Sequence, residues 1–132
     1  MTTTTTTPQH AASRDTDFAL ARGLGWFSLA LGAAELLAGR QLARAMGMDE
    51  YANLIRAYGA REVATGIGVL TRADPTPWIW GRVGGDALDL ATLAVGLDRD
   101  NPRRENVAYA IAAVAAATAL DLFCAVRLTR EA

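Results

Sequence analysis

The chain has 132 residues, enough for one domain, and hydrophobic side chains make up 52% of it. Its formal net charge is −1 and its thirteen cationic residues are all arginine, so no broad basic field argues for a nucleic-acid partner. A lone cysteine, Cys124, excludes an intrachain disulfide, and the lone histidine, His10, lies in the polar tail, which argues against a His-based triad or a His/Cys zinc site; no metal and no cofactor is expected.

Residues 1–17 are polar, contain six consecutive threonines (Thr2 to Thr7), and read as a disordered tail. They lack the basic n-region and cleavage site of a signal peptide, so the apolar stretch that follows is expected to stay attached. That first stretch covers about 18–38. Ala21, Gly25, Ser28, Gly32, Glu35 and Gly39 repeat at alternating steps of four and three, which places them on one helical stripe. Small residues there let a second backbone approach, the way helices associate in lipid, so Gly25 and Gly32 are assigned to helix packing. Residues 40–50 mix apolar and charged side chains and read equally as an interfacial helix or a connector.

The second stretch, about 51–71, is the least hydrophobic and carries Arg56, Arg61 and Glu62. A turn with two prolines follows, and Pro77 suits the first turn of the third helix, about 77–97. Gly81, Gly85 and Asp89 lie four apart along it, a second small-residue face; Arg82 and Asp86 are also four apart. The fourth stretch, about 106–126, is alanine-rich with Asp121 as its only charge, and 128–132 form a short polar tail.

About 20 helical residues cross the hydrocarbon core, so the four stretches of residues 18–127 predict an all-α, four-helix transmembrane bundle. A soluble bundle would need a wide polar face on each helix, yet Gly23 to Ala34 and Val107 to Leu120 are free of charge. Charges within spans are costly and must face one another, which makes Glu35, Arg56, Arg61, Glu62, Arg82, Asp86, Asp89 and Asp121 a buried polar network. Counting depth at about 1.5 Å per residue pairs Arg56 with Glu35, Arg61 with Asp86 or Asp89, and Arg82 with Asp86 or Asp121. Glu62 is left to share Arg61 or to be protonated.

The strings Ile55-Arg56-Ala57-Tyr58-Gly59-Ala60-Arg61-Glu62 and Gly84-Gly85-Asp86-Ala87-Leu88-Asp89-Leu90, with Arg22-Gly23-Leu24-Gly25-Trp26-Phe27-Ser28, resemble the four-span membrane region of bacterial cyclase/dehydrase-like proteins, some of which continue into a START-like (SRPBCC) soluble domain. The chain is also loosely similar in architecture to DoxX-type membrane proteins. The resemblance implies a multi-pass protein of the bacterial inner membrane with cytoplasmic termini, the lipid bilayer as its surroundings, a membrane or lipid-handling protein as a partner, and room for a homo-oligomer. The named activity belongs to the soluble domain, which is not expected after Ala132, so it does not carry over. Two functions follow: a structural or interaction module, or a transporter-like protein conducting protons or cations through Glu62, Asp86, Asp89 and Asp121. An enzyme is the weakest reading, since the spans hold no histidine, one cysteine and no phosphate-binding loop.

Overall fold

A computed structural model of the chain describes residues 8–131. They form four long helices, α1 (Pro8–Ala45), α2 (Ala52–Thr71), α3 (Thr76–Val95) and α4 (Arg104–Arg130), with one 3₁₀ turn at Asp49–Tyr51; no strand occurs among the described residues. Two of the helices, α4 and the Ala12–Ala45 part of α1, are long and apolar enough to cross a membrane. The helix of α1 runs through the second half of the segment expected as a tail, while the threonine run lies outside the described residues.

Helix α1 bends at Ala38, whose φ of −121° and ψ of 23° leave the helical range next to Gly39, and then continues to Ala45. So the stretch read as an interfacial helix or connector is largely the last part of α1. Its end is a Schellman cap: the Met48 N–H donates to the Ala43 carbonyl at 2.8 Å and the Gly47 N–H to the Arg44 carbonyl at 3.0 Å. Gly47 takes φ +63°, a conformation that L side chains rarely adopt. Asn101, in the loop before α4, ties two helix ends together by donating to the carbonyls of Met46 (2.9 Å) and Gly96 (2.7 Å). Asn101→Ala would strip both carbonyls of a partner, and a loss of about 1–2 kcal/mol is expected in an unfolding titration.

Helix α1 packs along α2, and α3 along α4. The α1–α2 seam is built from glycines seven apart on each helix. Gly32 meets Gly59, so that a Cβ on either would lie 2.7–2.8 Å from the other's carbonyl oxygen, and Gly25 meets Gly66 in the same antiparallel register. The glycine face read on α3 does not work this way. A Cβ at Gly81 would meet nothing within 4 Å, and one at Gly85 would meet the Arg61 guanidinium at 2.7 Å rather than another backbone. Gly81 therefore packs no helix within the described chain, and Gly85 is small to admit a side chain.

Along α3 the inward residues run Ile79, Arg82, Asp86, Asp89, Leu93. Ile79 belongs to an apolar cluster with Ala21, Leu24, Val69, Cys124, Ala125 and Leu128, and Leu93 to a smaller one with Met48 and Val107 at the opposite end. The bundle is thus apolar at both ends of its core and charged in the middle.

The outer surface is the reverse. Every exposed residue from Gly23 to Leu37 on α1, Leu54 to Ile67 on α2, Trp80 to Val95 on α3 and Ala108 to Val126 on α4 is apolar or glycine. Leu37 is 84% exposed and Trp26 61%, whereas Arg82 and Glu62 are each 2% exposed and Asp121 is fully buried. Each belt spans about 20–30 Å at 1.5 Å per residue.

Candidate functional site

The interior charges come from three helices. Arg61 and Glu62 are adjacent on α2; Arg82, Asp86 and Asp89 follow one another by about a turn on α3; Asp121 is the lone charge of α4 between Val107 and Val126. Helical spacing of three and four residues stacks the α3 group on one face, which is why it meets the other two helices together.

Arg82 is the centre. Its Nε donates to Asp121 Oδ1 at 2.8 Å and its Nη2 to Oδ2 at 3.2 Å, a two-point contact that suits the planar guanidinium. Its Nη1 donates to Glu62 Oε2 at 3.2 Å. The Phe27 ring lies 5.7 Å from its Cζ. Glu62 is further held by α1, where the Ser28 hydroxyl lies 2.5 Å from Oε2 and 2.7 Å from the Glu62 carbonyl oxygen. This layer is dry: Ser28 and Asp121 have no exposed surface.

One turn further along α3 the site loosens. The Arg61 Nη2 donates to Glu62 Oε1 at 3.1 Å and lies 3.3 Å from both oxygens of Asp89, and its Nη1 donates to the Gly85 carbonyl at 3.2 Å. The guanidinium stacks over Tyr58 at 5.0 Å, and its side chain is 26% exposed. The Tyr58 hydroxyl is 2.7 Å from Thr92 Oγ1; because Thr92 already donates to the Leu88 carbonyl, Tyr58 is the donor in that pair.

Asp86 sits between these layers, 4% exposed, beside Asp121 and Arg82. Its Oδ2 has no hydrogen-bond partner among the described residues. One carboxylate oxygen from each of Glu62, Asp86 and Asp89 lies within 4.8 Å of the others, a spacing that oxygen ligands of a hard cation could take. The oxygens of Glu62 and Asp89 are already engaged by Arg61 and Arg82, so those guanidiniums stand where a metal would compete, and Asp86 alone offers a free atom.

Two expected pairs are therefore present, Arg61 with Asp89 and Arg82 with Asp121, and Glu62 bonds to both arginines. Asp86 joins neither arginine by a hydrogen bond. Arg56 and Glu35 form no ion pair among the described residues. The Arg56 stem packs against the Gly39 position and its head enters a polar cleft with Arg40, Arg44, Asp49 and Asn53, whereas the Glu35 Cβ lies against Gly59, about a turn deeper. Glu35 is half-buried and faces an apolar chamber instead.

A second polar contact escaped the sequence reading. Asp17, 2% exposed, receives Arg127 of α4 at 3.4 Å, and Arg127 also reaches Ser13 and, at 3.8 Å, Glu131. The signal was there: Asp17 lies four residues before Ala21 and continues the inward stripe of α1 backwards. No protein-family model, curated protein or solved structure matches the chain, so its function is read from geometry and charge.

Proposed function

We propose that the chain is an integral membrane protein in which all four helices cross the bilayer, and that its surplus of interior carboxylates makes it a small proton- or cation-conducting unit. One observation carries the membrane part: the exposed faces of all four helices are apolar over a common band, while arginine and carboxylates occupy the middle of the interior. Soluble monomers rarely expose continuous apolar patches beyond a few hundred Å². Helices α2 and α3 have 20 residues each, the length of a span, and the charges that interrupt them, Arg61, Glu62, Arg82, Asp86 and Asp89, are turned from the exposed faces. The same likeness of strings that implies a bacterial relative supports the inner membrane and cytoplasmic termini. Resistance to alkaline carbonate extraction is the expected result; a folded, detergent-free monomer in the soluble fraction would end the membrane reading. Cysteines placed in the two end segments and labelled from each side would fix the orientation.

The conducting part rests on charge balance. Glu62, Asp86, Asp89 and Asp121 stand against only Arg61 and Arg82, an excess of two acids in an interior where unpaired charge is costly. Protons or cations supply the balance. Asp86 is the place to test it, because its carboxylate bonds to neither arginine and its Oδ2 is free among the described residues. In vesicles holding the purified protein and a pH-sensitive dye, a potassium diffusion potential should drive proton entry above that of empty vesicles. Asp86→Asn should lower this flux while leaving the melting temperature equal or higher. No flux from folded wild-type protein would instead favour the scaffold reading, a module for a lipid-handling partner, which the dry Arg82–Asp121–Glu62 layer supports.

A further inference from the structure

Between the charged middle and the Met48–Leu93–Val107 cluster lies a chamber of about 190 Å³ to which all four helices contribute. Its wall is apolar, with Leu31 and Leu42 from α1, Ile55 from α2, Leu93 from α3 and Val114 from α4. Two carboxylates interrupt it, Glu35 and Asp89. Asp89 is shared with Arg61, but Glu35 has neither an ion pair nor a hydrogen bond among the described residues. The remaining polar groups on the wall, the Tyr58 and Thr92 hydroxyls, satisfy each other.

Three kinds of occupant can be weighed against that wall. An inorganic cation needs about six or more oxygen ligands, and two carboxylates on an apolar surface cannot supply them. A neutral apolar molecule would cover the wall but offer the Glu35 carboxyl no hydrogen-bond or charge partner, leaving a polar group unsatisfied. A small organic ammonium compound meets both demands: its carbon part covers the apolar wall and its charge faces Glu35, with the Tyr58 ring close enough to add a cation–π contact of the kind that ring already makes with Arg61 at 5.0 Å. The volume falls below the roughly 300–1,000 Å³ of drug-sized sites, so the ligand is a compact amine rather than a large amphiphile.

We infer that this chamber is a binding site for a small hydrophobic ammonium compound, with Glu35 as its counter-ion and Asp89 as the second acid of the site. The inference rests on the conducting reading above and names the class of cation that Glu35 and Asp89 would handle. It makes Glu35 a binding residue rather than the partner of Arg56 that its depth in the sequence suggests.

The test uses the full chain in detergent and benzyltrimethylammonium as the probe, measured by equilibrium dialysis. Saturable binding is expected, with neopentylbenzene, the uncharged carbon analogue, at least tenfold weaker and sodium or calcium unable to compete. Glu35→Gln should weaken binding tenfold or more, and Val114→Phe, which fills the chamber without touching a charge, should abolish it. Each variant is accepted only with a melting curve like that of the wild type; if Glu35→Gln fails this, Val114→Phe and the uncharged analogue decide. Equal affinity for the two probes, no saturable binding to folded wild type, or unchanged binding to Val114→Phe would overturn the inference. The vesicle flux separates the two claims: flux without probe binding leaves the conducting reading standing and removes the ligand, and binding without flux does the opposite.

Discussion

Arg82→Met is expected to be the most damaging single change in the bundle. The guanidinium it removes is the only cation bonded to Asp121 among the described residues, through two hydrogen bonds at 2.8 and 3.2 Å, and one of the partners of Glu62. Both carboxylates are buried, and water cannot replace the lost cation. Breaking a buried pair from one side costs about 3–5 kcal/mol, because the remaining charge is left uncompensated. Methionine keeps most of the volume, so the loss reads charge rather than a cavity. The triple variant Arg82→Met, Asp121→Asn, Glu62→Gln should recover part of it, since a neutral, hydrogen-bonded interior is often no less stable than an ionic one. Unfolding of the purified protein by SDS in mixed micelles measures both. A loss below about 1 kcal/mol for Arg82→Met would mean that water or another cation reaches Asp121 and that the layer is not dry.

The outcome for Arg82 also shows where reading by depth fails. Counted at about 1.5 Å per residue, Arg82 lies roughly 7–8 Å from one face of the bundle and Arg61 roughly 15 Å, which points to Arg61 as the central cation. An arginine side chain, however, reaches beyond one helical turn of about 5.4 Å, so Arg82 bonds inward to Glu62 while Arg61 keeps a quarter of its side chain exposed. Glu62 looked orphaned for the same reason and instead has two arginines. The pairs Arg61–Asp89 and Arg82–Asp121 were legible because both partners stand at matching depths on neighbouring helices. Arg56 and Glu35 matched in depth too, but the bend at Ala38 and the closeness of Arg56 to Gly39 turn that arginine toward the end of the bundle. Depth is a property of one helix; rotation depends on its neighbours, and no single stretch encodes it. The lone-acid character of Glu35 and the free Oδ2 of Asp86 could not have been read from the chain, because any acid near an arginine looks paired in one dimension.

Packing was legible on one helix and misassigned on another, and one pair of substitutions separates the cases by sign. On an open helix face, Gly→Ala stabilises by up to about 1 kcal/mol through backbone propensity. Gly81 stands on such a face, with nothing within 4 Å of an added Cβ, so Gly81→Ala should raise the stability measured in SDS titrations. Gly32→Ala carries the same propensity gain, yet its Cβ would lie 2.7 Å from the Gly59 carbonyl oxygen and 2.8 Å from the Val63 nitrogen. These are backbone atoms, with no rotamer to move aside, so α1 and α2 must separate along the whole Gly25–Gly66 and Gly32–Gly59 seam. Overpacking of this kind costs about 1–3 kcal/mol, and the wider seam would also lengthen the Ser28–Glu62 contact that holds α1 to the charged layer. Gly32→Ala should therefore destabilise while Gly81→Ala stabilises, although both sequences read as glycine in an apolar helix. If both variants gain stability, α1 and α2 do not meet at Gly32, and the small residues of α1 face lipid or a second copy of the chain instead; if both lose it, the Gly81 face is packed against a second copy.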